Sequence, residues 1–191
     1  MSQREPDAAR AILTARARSL ARPTATAPTG EELSVVGFEA GGEAFAIEAR
    51  YAHEIVRLRH LAPVPGAPAA VCGVTTYRGE ILAVVDVRAT LGHRAGGLAD
   101  LLWVIVIGAA MPEFGLLADR ITGVEAIGAT GLRPLAADAS ARARRLARAT
   151  TERAALVLDG ATLLADQELF APRDGAAPAT ANEQTASRRR V

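Results

Sequence analysis

The sequence predicts an all-β protein built from short antiparallel strands. Apolar residues, many of them β-branched, alternate with polar residues over short stretches, which is the period of a half-buried strand. Turn signals that contain glycine separate these stretches, at Gly41-Gly42, Arg78-Gly79 and Asp159-Gly160. Only short helical patterns lie between them. We expect about nine or ten strands, and their closure into small barrels would remove exposed edges.

The body of the chain begins with a predicted hairpin from residue 33 onward. Apolar residues at every second position place one strand on each side of Gly41-Gly42: Val36, Phe38, Ala40, Phe45 and Ile47. Residues 49–53 are expected to form a single helical turn, and a strand follows from 54 to about 61. The prolines at 63, 65 and 68 then indicate an irregular connection.

The central hairpin, residues 71–91, is the segment around which the chain is organised. Two β-rich stretches flank a tight turn at residues 77–80, in which Gly79 tolerates the backbone angles that such a turn requires. The turn presents the guanidinium of Arg78 at the tip of a rigid hairpin. Nothing in the turn can act as an acid, a base or a nucleophile, so this segment indicates a binding surface.

The middle of the chain adds one short helix and three strands. Residues 88–99 indicate the short helix together with a glycine-rich loop. Strands are expected at 101–107, 113–117 and 121–127, with a turn at Asp119-Arg120. The first of these is continuously apolar and is expected to be fully buried, with Trp103 anchoring the core.

The last part of the domain ends in a second predicted tight hairpin. Residues 138–153, rich in Ala and Arg, are interpreted as a loop with a helical turn. Residues 155–165 contain Asp159-Gly160, a dipeptide that favours the type I′ turn of a hairpin. A short helix over 166–170 closes the domain.

Both ends of the chain are expected to lie outside the folded domain. Residues 1–32 form an N-terminal extension with an amphipathic basic helix, ended by Pro23, and a linker. The helix either packs on its own domain or docks on a partner or an anionic surface. Residues 171–191 are too poor in large apolar side chains to fold and are predicted to be a disordered tail.

The composition limits the possible functions. The 191-residue chain carries a net charge of +1, which gives no broad electrostatic reason to bind nucleic acid. The single cysteine, Cys72, excludes an intrachain disulfide and a multi-cysteine metal site. The N-terminus lacks the apolar core of a signal peptide, and the apolar run at 101–110 is about half of a membrane span. We therefore expect a cytoplasmic protein without direct membrane insertion.

No group of residues in the sequence predicts an active site or a cofactor. No cluster of carboxylates or cysteines completes a metal shell with His53, His60 or His93. No nucleophile elbow or phosphate-binding glycine loop is present. Asp86, in an apolar strand, could be a buried catalytic carboxylate. The simpler interpretation is that it caps the following helix or pairs with an arginine.

Four segments in order resemble the CheW-type chemotaxis coupling proteins. They are FEAGGEAFAIEARYAHEIVRL, GVTTYRG with ILAVVDVRATLG, FGLLADRITGVEAI and ALVLDGATLLADQELF, and the resemblance covers about residues 33–170. The resemblance implies two small five-stranded antiparallel β-barrels, similar to Src-homology-3 domains, packed over a shared core. It also implies a non-enzymatic adaptor that couples the cytoplasmic tips of chemoreceptors to the regulatory domain of a CheA-type histidine kinase, in receptor arrays at the inner face of the membrane.

The resemblance also points to particular binding residues. Arg78 matches the arginine of the family's central turn, framed by Gly73 and Gly79, and Glu54 matches an acidic residue after the first helical turn. Their neighbours are added as candidates: Ala52, Val56, Val74 and Tyr77. The family usually has Asn-Leu before Arg-Gly, whereas this chain has Thr76-Tyr77, whose amphipathic ring suits an interface.

Two other functions remain as alternatives to the adaptor. A small-barrel nucleic-acid-binding protein would need basic residues interleaved with exposed aromatic rings, yet aromatic residues make up 4% of the chain. A small enzyme would need the catalytic constellation that the sequence lacks. A stand-alone adaptor with no nucleic-acid partner is therefore expected.

Overall fold

Short alternating segments build eleven strands in the part of the chain that the structure describes. A computed structural model of the protein describes residues 32–92 and 102–171. The strands are β1 (Leu33–Ala40), β2 (Glu43–Glu48), β3 (Ala52–Arg57), β4 (Val71–Tyr77), β5 (Glu80–Val85), β6 (Trp103–Ile107), β7 (Phe114–Ala118), β8 (Arg120–Ile127), β9 (Leu132–Arg133), β10 (Ala147–Thr151) and β11 (Leu156–Leu158). Three α-helices are short: α1 (Val87–Thr90), α2 (Ala141–Leu146) and α3 (Gly160–Leu164). Single 3-10 turns occupy Ala49–Tyr51, Ala129–Gly131 and Gln167–Leu169.

The strands form two sheets. The first has six strands in the order β8-β1-β2-β11-β10-β9, and the second has five in the order β3-β6-β7-β5-β4. Most neighbours are antiparallel, but β2 pairs with β11 and β5 pairs with β7 in parallel. The prediction of an all-β protein is confirmed, and the expectation of purely antiparallel pairing is wrong. Each parallel pair joins strands that the chain reaches only after other elements, because a tight turn cannot connect parallel neighbours.

The central strands of each sheet are buried on both faces, which explains the continuous apolar runs in the sequence. In β6, Ile105 and Ile107 belong to a large central core that also contains Phe38 and Phe45 of the first sheet. Val104 and Val106, which point the opposite way, belong to a smaller core inside the second sheet. A third cluster lies on the other face of the first sheet. The two sheets therefore share one core, and each has a further small core of its own.

The predicted pair of closed five-stranded barrels describes the second sheet only approximately. Its edge strands β3 and β4 approach each other because the sheet curls, but between them only Ala62, which follows β3, forms a bridge with Val74 of β4. The Ala62 amide donates to the Val74 carbonyl and the Val74 amide to the Ala62 carbonyl, both at 2.8 Å. The first sheet has six strands rather than five. Within the described residues, neither sheet closes through a full ladder.

The segment around Asp159-Gly160 departs from the prediction. It does not form a hairpin: β11 ends at Leu158, and Asp159 caps α3 by accepting a hydrogen bond from the Thr162 amide at 2.8 Å. Gly160 is not among the residues with positive φ. A Cβ there would lie 2.0 Å from the Tyr51 ring, so glycine permits close packing rather than a turn. Strand β10 was also missed, since only a loop with a helical turn was expected at its position.

Most other elements agree with the prediction. The β1–β2 hairpin turns at Gly41 and Gly42, with φ of 61° and 82°, and a 3-10 turn precedes β3. Trp103 is only partly buried, and the guanidinium carbon of Arg57 lies 4.5 Å from the centroid of its ring. The predicted N-terminal helix, most of the glycine-rich loop and nearly all of the predicted tail lie outside the described residues. In the described part, no helix is long and apolar enough to cross a membrane.

Candidate protein-binding groove

The β4–β5 turn holds Arg78 in a defined position. Tyr77 pairs with Glu80, so Arg78 and Gly79 are the two central residues of the turn. Their φ angles of 50° and 87° match a type I′ turn, which suits the twist of a two-stranded hairpin. The Arg78 side chain is 73% exposed. The predicted tight turn is confirmed, and it displays a cation on a rigid base.

Glu54 of β3 binds Tyr77, the last residue of β4, and Arg78 of the turn that follows. The Tyr77 hydroxyl donates a hydrogen bond to Glu54 Oε2 at 2.6 Å, and Arg78 Nη2 donates to the same oxygen at 2.8 Å. The Arg78 guanidinium carbon also lies 5.2 Å from the centroid of the Tyr77 ring. Three predicted site residues are thereby brought together across the two edges of the second sheet. Their contacts fix the direction of the Arg78 guanidinium before any partner arrives.

These contacts lower the pKa of Glu54 and raise the pKa of Tyr77. The hydrogen bond from Tyr77 lowers the pKa of Glu54, and the hydrogen bond and charge of Arg78 lower it further against the opposing effect of burial. The same hydrogen bond raises the pKa of Tyr77, because loss of the phenol proton would place two anions side by side. At neutral pH the cluster is therefore a carboxylate bound by a neutral phenol and a guanidinium.

Tyr77→Phe is expected to raise the pKa of Glu54 toward its ordinary value. The substitution removes the largest stabilising contact of the carboxylate and leaves the ring in place. The measurement is an NMR titration of the Glu54 carboxyl in both proteins. An unchanged titration midpoint would show that the Tyr77 hydrogen bond does not control this carboxylate.

A groove of about 390 Å³ lies beside this cluster, between β3 and β4. Its apolar part is formed by Val56, Leu58 and Val104, which pack in or against the small core of the second sheet. Its polar lining residues come from β3, β4 and the segment after β3: Glu54, Arg57, Arg59, His60, Thr75, Thr76, Tyr77 and Arg78. The groove thus combines an apolar surface with several cationic side chains. This combination is typical of a protein-binding site.

Of the predicted site residues, Glu54, Val56, Tyr77 and Arg78 line the groove. Tyr77, however, is 8% exposed and packs in the small core, so its ring is not the interface surface that the sequence suggested. It positions Glu54 instead. The rim residues Arg57, Arg59 and His60 were not predicted as binding residues. Their alternation with Leu58 indicated a strand face, but the sequence gave no sign of which element lies opposite.

The remaining predicted residues have structural roles beside the groove. Gly79 supplies the positive φ of the turn. A Cβ on buried Gly73 would lie 2.5 Å from the Ala62 carbonyl oxygen, so glycine allows the two backbones to approach. Val74 makes the bridge to Ala62, and Ala52 packs against the central core. None of these four residues lines the groove.

The fold and the hairpin agree with a known protein family. The family model described as the CheW-like domain matches residues 34–168, which is most of the described chain. The chain belongs to the CheW-like domain family. The match includes both sheets and the whole groove, so the resemblance seen in the sequence is confirmed.

Relatives and a solved structure agree with this assignment. The chain is 31% identical to the chemotaxis protein CheW of Rhizobium meliloti over 119 residues, which is 62% of this chain and 76% of the relative. It is 28% identical to the chemotaxis protein CheW of Treponema pallidum over 101 residues, covering 51% of this chain and 59% of the relative. The crystal structure of the scaffolding protein TtCheW from Thermoanaerobacter tengcongensis superposes with a TM-score of 0.55 at 18% identity, over 67% of this chain and 88% of the other. This last similarity concerns the fold.

Proposed function

We propose that this protein is a non-enzymatic coupling scaffold of a chemosensory pathway. In this role it joins the regulatory domain of a CheA-type histidine kinase to the cytoplasmic tips of chemoreceptors, at the inner face of the membrane. Its membership of the CheW-like domain family supports the role, as do the relatives named chemotaxis protein CheW. The kinase, the receptors and the location belong to the proposal.

The observation that carries the proposal is the fixed guanidinium of Arg78 beside an apolar groove. A type I′ turn and the contact with Glu54 both hold this side chain before binding. A protein contact that uses a preorganised side chain loses little conformational entropy on association. Arginine is also enriched at protein interfaces and among the residues that dominate binding energy. We therefore assign Arg78 and the groove next to it to the kinase contact.

Two reactive side chains outside the groove, Asp86 and Cys72, lie in environments that favour structural roles. Asp86 caps α1 through the Arg88 amide and forms an ion pair with the Arg88 side chain, in agreement with the simpler interpretation of its sequence context. In the described ranges, no group of three or more His, Cys, Asp or Glu residues is arranged to hold a metal ion. The pKa of Cys72 is raised to about 11, mainly by burial, so this thiol is protonated at neutral pH.

Arg78→Glu is expected to weaken binding to the kinase regulatory domain at least tenfold while the fold is kept. The substitution removes an interface cation and places a second carboxylate beside Glu54. The measurement is calorimetry with the full chain and the regulatory domain of a CheA-type kinase from the same organism. Circular dichroism and a thermal melt check the fold.

Arg144→Glu is the matched control for this experiment. Arg144 is an exposed arginine on α2, outside the groove, so the control makes the same charge change elsewhere. Equal affinities of the Arg78 and Arg144 variants would remove Arg78 from the kinase contact. A wild-type chain that fails to bind the regulatory domain would contradict the proposed function itself.

A further inference from the structure

The rim of the groove carries positive charge that the described chain leaves unneutralised. Arg57 and Arg59 are exposed, and no carboxylate in residues 32–92 or 102–171 forms an ion pair with either. The one carboxylate that lines the groove, Glu54, is already bound by Tyr77 and Arg78. Three arginines and one carboxylate therefore line the groove, and the carboxylate is already engaged. The groove has an excess of positive charge.

The groove also has apolar lining. Val56 and Leu58 are partly buried and leave aliphatic surface in the groove, packed on the small core that contains Val104. The edges of β3 and β4 border the same space, and each lacks a paired strand on that side except at the Ala62–Val74 bridge. An extended segment lying there would contact aliphatic side chains, face unpaired backbone groups and lie next to lining arginines. Such edges are suited to pair with an added strand.

We propose that the groove binds an acidic, partly apolar segment of the partner protein, with Arg57 and Arg59 selecting its carboxylates. This inference rests on the proposed function and specifies the chemistry of the partner at that site. Carboxylates placed against the two rim arginines gain charge-assisted hydrogen bonds, which are stronger than neutral ones. Complementary charge at the rim also speeds association, because it steers the partner toward the groove.

The geometry favours a protein segment over a nucleic acid. Single-stranded nucleic acids bind by stacking bases on exposed aromatic rings. At this groove the Arg57 guanidinium lies over the Trp103 ring, 4.5 Å from its centroid, and the Tyr77 ring is buried. The groove thus has cations but no free ring on which a base can stack.

The test compares the charge-reversed variant Arg57→Glu/Arg59→Glu with the wild-type chain. The control, Arg144→Glu/Arg153→Glu, changes the net charge equally at two exposed arginines outside the groove. The first probe is the kinase regulatory domain, at low and at high salt. The others are a synthetic peptide in which Glu alternates with Val, the same peptide with every Glu replaced by Gln, and a single-stranded DNA oligonucleotide. All are measured by calorimetry or fluorescence anisotropy with the full chain.

The proposal expects the Glu-containing peptide and the regulatory domain to bind the groove variant about tenfold more weakly than the wild type. The control should bind as the wild type does, and salt should weaken wild-type binding more than binding by the groove variant. The Gln-containing peptide should bind the wild type more weakly than the Glu-containing one. If the regulatory domain does not bind at all while the peptides behave as expected, the kinase contact is wrong and the acidic preference of the groove stands.

Three results would overturn the proposal. One is that the Glu-containing peptide fails to bind the wild type, or binds no better than the Gln-containing peptide. Another is that the groove variant and the control lose affinity for the peptide equally, which would indicate a general charge effect. The third is that the oligonucleotide binds the groove more tightly than the acidic peptide does. That outcome would assign the rim arginines to phosphate recognition.

Discussion

Asp86→Ala is expected to lower the free energy of unfolding by about 3–5 kcal/mol. Asp86 accepts hydrogen bonds from Arg88 Nε at 2.9 Å and Nη2 at 2.7 Å, and from the Arg88 amide at 2.9 Å. The two side chains are only 4% and 8% exposed. Removal of the carboxylate would leave a guanidinium buried without its counterion and α1 without its cap.

The surroundings of Arg88 keep its guanidinium from moving into solvent when Asp86 is removed. Its side chain packs under the β1–β2 turn, where a Cβ on Gly41 would lie 2.0 Å from Arg88 Nη1. Gly41 in turn donates its amide to Asp119 Oδ2 at 2.5 Å, so the turn is held in place above the guanidinium. The ion pair therefore lies where the hairpin of the first sheet meets α1, and its loss should affect both.

Chemical denaturation of Asp86→Ala and of Asp86→Ala/Arg88→Met provides the measurement. If the cost comes from an uncompensated buried charge, the double variant should regain a large part of the lost free energy, because methionine fills similar space without charge. A double variant less stable than Asp86→Ala would contradict this explanation. It would show that the Arg88 side chain stabilises the fold through its packing alone.

Glu48→Ala is expected to lower the free energy of unfolding by about 2–3 kcal/mol. Glu48 ends β2 and is 1% exposed. Its Oε1 accepts hydrogen bonds from Arg148 Nη1 at 2.6 Å and Arg50 Nη2 at 2.9 Å, and its Oε2 accepts from the Gly160 amide at 3.2 Å. The two arginine side chains are partly exposed and can return to water, whereas the buried Gly160 amide would lose its acceptor. The expected loss is therefore smaller than for Asp86.

Glu48→Gln is the matched variant, since it keeps the shape and one acceptor oxygen. We expect it to lose about half as much free energy as Glu48→Ala, because the ion pairs with Arg50 and Arg148 are lost and one of the two acceptor oxygens is replaced. Denaturant midpoints measure both variants, and hydrogen exchange of the Gly160 amide reports the local effect. Faster exchange in Glu48→Ala than in Glu48→Gln is expected. Equal exchange in the two variants would mean that Glu48 does not hold the start of α3.

The elements that the sequence predicted well are those whose structure is determined locally. Strands β1 and β2 flank two glycines at positive φ, and Gly79 supplies one of the two positive φ angles of the 77–80 turn. Strand β10, with the sequence ARATT, has no such pattern. It is a strand because Thr150 pairs with Leu156 on one side and with Arg133 on the other. Its structure comes from tertiary pairing, which propensity does not reveal.

The candidate site also combines features determined locally with features that depend on tertiary contacts. Arg78 was predicted because its turn is local and its motif resembles the family's. The contact of Glu54 with Tyr77 joins residues 23 positions apart on the two edges of a sheet, and only the curl of the sheet brings them together. The same curl forms the groove that Arg57 and Arg59 line. The sequence predicted Arg78 at the tip of the hairpin. The groove and its positive charge become visible only in the folded structure.

The pairing of β2 with β11 has a consequence for the order in which the protein folds during synthesis. All five strands of the second sheet come from one continuous stretch, from Ala52 to Ala118, so this sheet can pair as soon as that stretch has left the ribosome. The first sheet combines the earliest strands with the last ones, and Glu48 binds a backbone amide 112 residues further along the chain. Until β11 emerges, β2 presents an unpaired edge and Phe45 and Ile47 lack part of their cover. The nascent chain is therefore most exposed to misassembly just before its domain is complete.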